Sequence, residues 1–177
     1  MKIISILAVL IFSAASFAQE PGKEFYNAKY KWTIKIPEGY ANAPYEDTDY
    51  DETERLIFIV QNVDEDYMEA TDSPYNSAED GDYAEVVQFV AEMMKEGLEA
   101  QMEGTKVDLV SVKEKIGNRD FFHDTFIVTY PGIDFKLQLH IFNALFDDIN
   151  DFSMTISYVD DIEGEKMLKA FRESRFK

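Results

Sequence analysis

The residues best spaced for metal chemistry are three aspartates in the stretch YEDTDYDETE. Asp47, Asp49 and Asp51 match the first three ligand positions of a D-x-D-x-D calcium loop. The match then fails, because the sixth position holds Glu52 instead of glycine and the twelfth holds Phe58 instead of glutamate. The spacing therefore excludes a helix–loop–helix calcium site. A looser calcium site on the three aspartates, with Asp64 and Asp66 as candidate further ligands, is left as one prediction.

The same stretch, residues 45–54 and here called the acidic run, places tyrosines among its carboxylates, and another tyrosine follows in the next acidic stretch. Tyrosine among acidic residues suits contact with a basic protein surface, because the ring packs while the hydroxyl stays hydrated. A solvated connection without a ligand is the alternative. We predict a partner-binding surface from five residues: Tyr45, Glu46, Tyr50, Glu52 and Tyr67.

Two histidines, His123 and His140, are the imidazoles available as bases or metal ligands. Both lie in the middle of segments that alternate as β-strands, so the strand register decides whether they meet. Opposed residue numbers that sum to 263 place His123 across from His140, and a sum of 265 places it across from Phe142. The connection through Pro131 and Gly132 favours a longer loop and a sum of 265. We therefore expect no zinc site, and both histidines on the more polar face of the sheet.

The sequence lacks the common catalytic motifs. It contains no cysteine, so neither a thiol nucleophile nor a disulfide is available. The motifs G-x-S-x-G, G-x-G-x-x-G and G-x-x-x-x-G-K do not occur in it. Its carboxylates are too numerous for one pair to be singled out as acid and base. We predict no catalytic residues, no cofactor other than the calcium considered above, and a protein that is not an enzyme.

The N-terminal residues 1–18 have the features of a secretory signal. Lys2 precedes the short apolar segment IISILAVLIF, and S-F-A forms a small-x-small cleavage site before Gln19. The apolar segment is shorter than a bilayer span of about 20 residues. We predict cleavage of this signal, a secreted or periplasmic location, no membrane span after cleavage, and a single domain over residues 19–177.

The charge of the chain narrows the classes of partner. Residues 19–177 contain 16 basic and 35 acidic residues, a net charge of −19. Such a chain repels phosphate backbones and anionic membranes, so we expect no nucleic acid partner. A basic protein surface or a cation is favoured. Most of the excess lies between Glu46 and Glu85, where 15 carboxylates accompany one base, Arg55.

Hydrophobic periodicity predicts the elements that position these residues. KYKWTIKIP and RLIFIVQN are typical of strands, and DYAEVVQFVAEMMKEGLEAQM is typical of a long helix. Four strands joined by short turns then form an antiparallel meander, and DDIEGEKMLKAFRES closes the chain as a helix. The predicted class is α+β in the order β-β-α-β-β-β-β-α. The core-facing stripe of the long helix is predicted as Val86, Val90, Met94, Leu98 and Met102, widened by Tyr83, Val87 and Met93.

Two further expectations concern loops and packing. The long connections 37–54 and 63–81 are predicted to carry no strand and to present tyrosines, including Tyr40 and Tyr75. In the meander, six apolar residues are predicted to share one face of the sheet: Phe122, Phe126, Val128, Leu137, Leu139 and Ile141.

Three short stretches also carry a family resemblance. YKWTIKIPEGY opens the domain, LIFIVQN follows as its second strand, and KMLKAFRESRFK closes the chain. Together with the order of elements, they resemble the PsbP-like family over nearly all of residues 19–177. The resemblance implies an α/β/α sandwich on a single, mostly antiparallel sheet of about six strands. It also implies a docking scaffold without catalytic residues, because plant members dock on photosystem II and help retain calcium and chloride, and a nuclear relative binds the GTPase Ran.

Overall fold

The computed structural model describes residues 23–43 and 54–177. Within these residues the chain forms ten strands and three helices. The strands are β1 Glu24–Asn27, β2 Trp32–Lys35, β3 Ala41–Asn42, β4 Arg55–Gln61, β5 Tyr67–Pro74, β6 Lys106–Ile116, β7 Arg119–Thr129, β8 Lys136–Phe146, β9 Asn150–Tyr158 and β10 Arg175–Phe176. The helices are α1 Ser77–Asp80, α2 Tyr83–Ala100 and α3 Asp161–Arg172. None of these helices is long and apolar enough to cross a membrane.

Seven strands form one antiparallel sheet in the order β3-β4-β5-β9-β8-β7-β6. The strands β1, β2 and β10 form a small antiparallel sheet. The predicted α+β class and the meander from β6 to β9 are confirmed. The prediction of a single sheet is wrong, because the strand that contains Trp32 pairs with β1 and β10 and not with β4.

Both connections that we predicted to carry no strand contain one: the short strand β3 lies in the first, and strand β5 occupies part of the second. Strand β5 pairs with β9 along its whole length and with β4 over most of it. Met68 and Ala70 are fully buried, whereas the alternate residues Thr71 and Ser73 turn polar side chains to the other face. The prediction failed because polar residues and the closing Pro74 weaken the strand pattern. Pairing on both sides satisfies the backbone groups of β5 and overrides that weak pattern.

Helices α2 and α3 cover opposite faces of the large sheet, which gives the α/β/α sandwich that the resemblance implied. Beneath α3 and the small sheet, Trp32 is fully buried and makes edge-to-face ring pairs with Phe58, Phe152 and Phe171. Beneath α2 lies a second, smaller core of aliphatic and aromatic residues: Ala91, Leu98, Val107, Phe126, Val128 and Leu139.

The register between β7 and β8 has opposed residue numbers that sum to 265, as predicted. His123 lies across from Phe142, and Phe126 lies across from Leu139. The six apolar residues predicted to share a face do so, and that face lies beneath α2. The opposite face is covered as well, since Phe121 and Phe142 are buried there against α3. The expectation that this second face is the more polar one is therefore wrong.

Helix α2 begins after Asp82, whose side chain accepts hydrogen bonds from two backbone N–H groups of the first turn. Its buried residues are Val87, Ala91 and Leu98. The predicted stripe is correct for Val87 and Leu98, but Val90, Met93 and Met102 are 52%, 56% and 44% exposed, so the buried side is shifted by part of a turn. The helix packs over β6 and β7, while β5 and β9 turn polar side chains toward it. The side of α2 over β6 and β7 therefore packs on apolar residues, whereas the side over β5 and β9 faces polar ones.

Candidate functional site

Seven of the predicted site residues lie outside the described residues: Tyr45, Glu46, Asp47, Asp49, Tyr50, Asp51 and Glu52. Their calcium-binding and partner-binding roles stay predictions. The last residue of the acidic run, Glu54, is described and lines a cavity beneath α2. Within residues 23–43 and 54–177, no group of three His, Asp or Glu side chains is arranged to hold a metal ion.

The described tyrosines of the two acidic connections are packed and not presented by loops. Tyr67 begins β5, and burial raises the pKa of its hydroxyl, with the charge of Glu69 adding to the effect and a hydrogen bond with Ser157 opposing it. Tyr40 and Tyr75 are core residues, 1% and 7% exposed. The prediction that exposed loops present these last two is wrong, because their rings supply apolar area that the core buries. The partner-binding role of Tyr67 stays a prediction.

Helix α2 presents apolar side chains to solvent. Phe89, Val90 and Met93 are 63%, 52% and 56% exposed. Their spacing places them on one side of the helix, and we call these three residues the α2 patch. Exposed carboxylates lie three or four positions from patch residues: Glu85, Glu92 and Glu96. The surface is therefore an apolar contact area with an acidic rim.

A cavity of about 210 Å³ separates α2 from the polar face of β5, β8 and β9. Val90 and Met94 line its helix side, and Asp151 lies on the sheet side. The Tyr83 hydroxyl donates a hydrogen bond to Asp151 at 2.6 Å. Burial raises the pKa of Asp151, the Tyr83 hydrogen bond opposes this rise, and the charge of Glu54 adds to it. Glu54, the last residue of the acidic run, therefore lies beside α2, where its charge helps raise the pKa of the half-buried Asp151.

A second polar cluster lies on the opposite face of the sheet, at the border of the main core. His123 and His140 are 5% and 7% exposed, and Nε2 of His123 lies 2.9 Å from Nδ1 of His140. The Thr125 hydroxyl lies 3.2 Å and 3.1 Å from these two atoms. Glu114 lies 3.1 Å from Nδ1 of His123, and the Tyr158 hydroxyl lies 2.9 Å from Nε2 of His140. Side chains of four strands are thus connected in one row.

Helix α3 contacts both ends of this row. At one end Arg172 donates two hydrogen bonds to Glu114, 2.6 and 3.2 Å long. At the other end Gln138 lies 3.2 Å from the Tyr158 hydroxyl and donates to Asp161 at 2.5 Å. Asp161 and Arg172 are the first and last residues of α3. The histidine row is defined here as five residues: Glu114, His123, His140, Tyr158 and Gln138.

Burial dominates the electrostatics of the row. It lowers the pKa of His140 to about 4, with the nearby charges of His123 and Arg172 adding to the effect. It also lowers the pKa of His123, against the opposing charge of Glu114. Burial alone would raise the pKa of Glu114, but the hydrogen bonds and charge of Arg172 outweigh it and hold that pKa below its ordinary value. Glu114 is therefore an ionised acceptor at neutral pH.

The contact between the two histidines was missed because we compared only directly opposed residues. With a sum of 265, His140 lies across from Thr125, which places it diagonal to His123 on the same face. Diagonal neighbours on one face of a sheet are within reach of ring side chains. The expectation that the histidines meet only with a sum of 263 is therefore wrong. Spacing in the sequence gives no sign of the partners on β6, β9 and α3, because these come from distant segments.

Comparisons with known proteins bear on the fold. The chain is similar to the cyanobacterial PsbP protein CyanoP of Synechocystis sp., with a TM-score of 0.60 and 8% identity over 94% of this chain and 99% of that one. It is similar to LpqN of Mycobacterium tuberculosis, which is involved in cell envelope biogenesis, with a TM-score of 0.55 and 12% identity over 90% of this chain and 87% of that one. The Ran-binding protein Mog1p of Saccharomyces cerevisiae aligns with a TM-score of 0.47 and 12% identity over 87% of this chain and 94% of that one. No protein-family model matches the sequence, and no curated protein matches it.

Identities of this size establish the fold alone, and the fold agrees with the resemblance seen in the sequence. Two of these solved structures match over nine-tenths of the chain or more. The helices on both faces of a large antiparallel sheet provide the same evidence from inside the molecule. The chain has a PsbP-like fold.

Proposed function

We propose that this chain is a secreted or periplasmic, non-catalytic binding domain that serves as an accessory protein to a basic partner. The observation that carries the proposal is the α2 patch, three exposed apolar side chains within an acidic rim. Residues 1–18 act as the cleavable signal in this proposal, and residues 19–177 form one domain. The likeness to LpqN, a protein involved in cell envelope biogenesis, supports a location outside the cytoplasm.

The chemistry of the α2 patch specifies what kind of surface it binds. Phe89, Val90 and Met93 need an apolar counterpart, because each Å² of apolar surface removed from water contributes about 25 cal/mol. The carboxylates of the rim need lysine or arginine side chains around that counterpart. An amphipathic basic helix of another protein meets both needs. Salt screens only the rim, since the Debye length falls from about 10 Å at 0.1 M to about 3 Å at 1 M.

We further propose that the acidic run extends this surface. Its last residue, Glu54, lines the cavity beneath α2, so the run is joined to the chain on the side of the patch. In this proposal the partner contacts four residues of the run and the start of β5: Tyr45, Glu46, Tyr50, Glu52 and Tyr67. The aspartates of the same run provide the competing proposal, a loose calcium site on Asp47, Asp49 and Asp51.

The test compares partner capture by matched variants. The exported protein is immobilised and exposed to extract of its own organism at about 0.05 M and about 0.5 M salt, with and without chelator. One variant combines Phe89→Ser with Met93→Ser. The matched control combines Val110→Ser with Val112→Ser, because these valines of β6 are 54% and 49% exposed and lie on the opposite face of the sheet.

We expect the wild type and the β6 control to capture the same basic protein and the α2 variant to lose it. Capture should weaken at the higher salt concentration and should be unaffected by chelator. If chelator abolishes capture, binding requires calcium, and the competing proposal of a calcium site on the acidic run is favoured. An α2 variant that captures as well as the wild type would refute the α2 patch as the binding surface.

A further inference from the structure

The histidine row contains four hydrogen-bond contacts, one more than the three protons that neutral His123, His140 and Tyr158 can place in them. Four contacts connect it in single file: Glu114 to His123, His123 to His140, His140 to Tyr158, and Tyr158 to Gln138. Each contact needs one proton between its two heavy atoms. The three inner residues are those that can supply these protons.

Both ends of the row accept hydrogen bonds and donate none into it. Glu114 is a carboxylate held ionised by Arg172, and it accepts a hydrogen bond from Nδ1–H of His123. At the other end the Asp161 carboxylate accepts from the amide nitrogen of Gln138 at 2.5 Å. This bond fixes the orientation of the Gln138 amide and turns its oxygen toward the Tyr158 hydroxyl, 3.2 Å away.

The shortage falls on the contact between the two imidazoles. Neutral His123, His140 and Tyr158 carry three protons for four contacts. When Tyr158 donates to Gln138, its oxygen accepts from Nε2 of His140. Nε2 of His123 and Nδ1 of His140 then face each other at 2.9 Å with a lone pair on each. The Thr125 hydroxyl has one proton and can donate to only one of the two nitrogens at a time.

We propose that the pair of His123 and His140 is a proton-binding site, in which one added proton is shared between Nε2 of His123 and Nδ1 of His140. That proton completes all four contacts, and the hydrogen bond it forms is charge-assisted and therefore strong. Both histidines are more than nine-tenths buried, so the shared proton is held inside the fold and not on an exposed ring.

The charges around the pair favour a single added proton. Glu114 of β6 faces the pair, and Arg172 of α3 offsets it. Asp161 at the start of α3 leaves one negative charge uncompensated at the far end of the row, and Glu165 of α3 acts on Tyr158 from the same side. One imidazolium therefore neutralises the row, whereas two would place like charges 2.9 Å apart.

The proton also affects the docking of α3. The row crosses β6, β7, β8 and β9 and is held at both ends by residues of that helix, Asp161 and Arg172. With the proton bound, the row is a continuous set of hydrogen bonds from one end of α3 to the other. Without it, the row is interrupted at the two imidazoles. Proton binding by the histidine row does not depend on the proposed partner surface, which lies on the opposite face of the large sheet.

The test is an NMR titration of the imidazole nitrogens. The chain has only two histidines, so long-range ¹H–¹⁵N spectra of the ¹⁵N-labelled exported protein contain two imidazole spin systems. From about pH 7.5 to about pH 4 we expect both rings to shift together with uptake of one proton. The midpoint should lie between the pKa of about 4 that burial imposes on His140 and the ordinary histidine pKa of 6.5.

Two variants remove the proton shortage while both histidines stay unchanged in sequence. In Tyr158→Phe the row loses two contacts and one proton, so the neutral imidazoles satisfy each other. In Gln138→Leu the Tyr158 hydroxyl is free to donate to His140, and three protons serve three contacts. Each variant should lower the midpoint by about one pH unit, a tenfold loss of proton affinity, and should move the proton of neutral His140 to Nδ1. The control Ile127→Val, on the same sheet face, should keep the wild-type midpoint.

Two results would overturn the proposal. One is independent titration of the rings, with two protons taken up at separate midpoints. The other is a midpoint that stays the same or rises in whichever of Tyr158→Phe and Gln138→Leu folds, as judged by its amide spectrum.

Discussion

Replacement of Gly164 by alanine should destabilise this protein, although alanine is the better helix former. Gly164 lies inside α3, where the helix passes over the ring of Tyr158. A Cβ at this position would lie 2.3, 2.4 and 2.5 Å from three carbon atoms of that ring. Optimal carbon–carbon contacts are about 3.5–4.0 Å, so the ring or the helix has to move by more than about 1 Å.

The magnitude follows from opposing contributions to the free energy of unfolding. Overpacking of a filled core costs about 1–3 kcal/mol. Loss of the hydrogen bond between Tyr158 and His140, as the ring moves, costs about 1 kcal/mol more. The gain in helix propensity from glycine to alanine is about 1 kcal/mol. The net loss should be about 1–3 kcal/mol, and the melting temperature should fall by about 2–4 °C for each kcal/mol.

Urea unfolding followed by tryptophan fluorescence measures this change, because Trp32 is the single tryptophan and is fully buried. Gly97→Ala in α2 is the matched control, since no atom apart from its chain neighbours and its own helix backbone lies within 4 Å of its Cβ position. That control should gain about 0.5–1 kcal/mol. If Gly164→Ala is as stable as the wild type or more stable, the close approach of α3 to Tyr158 is not a feature of the folded protein.

Three other perturbations separate buried groups from exposed ones. Acidification from about pH 7 to about pH 5 should lower the unfolding free energy, and His140 should account for up to about 2 kcal/mol of the loss, because the unfolded chain protonates it at its ordinary pKa of 6.5 and burial lowers its pKa in the folded chain to about 4. Urea titrations at each pH measure this slope, which should shrink in His140→Phe. Asp66→Ala should lower the unfolding free energy by about 2–3 kcal/mol, because its two carboxylate oxygens accept hydrogen bonds from the backbone after β9 and from an amide in the β4–β5 turn, each at 3.0 Å. The control Asp64→Ala should stay within about 0.5 kcal/mol of the wild type in the same urea titrations. Phe89→Ser with Met93→Ser should also stay within about 1 kcal/mol in thermal unfolding, and a larger loss would mean that the α2 patch is packed.

Much of the fold was predictable because its signals are local. Short turns between β6, β7, β8 and β9 allow little besides an antiparallel meander. The apolar residues of β7 and β8 then limit the register to two choices, and the connection through Pro131 and Gly132 selects the correct one. Strand β5 and the small sheet were not predicted. Polar residues and Pro74 weaken the strand pattern of β5, and β10 pairs with β2 across most of the chain, so no local pattern marks that contact.

The candidate sites were harder to predict than the fold because they depend on which flank of an element finds a partner. Periodicity showed that α2 is amphipathic, but Val87 and Val90 are both apolar, and only the sheet beneath decides which of them is buried. The histidine row needs Glu114, Tyr158 and Arg172, which come from three distant segments. Counting opposed pairs between two strands cannot find a cluster of that kind.

The small sheet determines the order in which the main core can close. Thr33 of β2 pairs with Arg175 of β10, and the Trp32 ring stacks on Phe176 with centroids 5.9 Å apart. Contacts between residues so far apart in sequence form late, because the long loop between them has to close first. A growing chain therefore leaves its largest aromatic cluster open until Phe176 has been added. During refolding, tryptophan fluorescence should report this final closure, and circular dichroism should report the earlier formation of the meander.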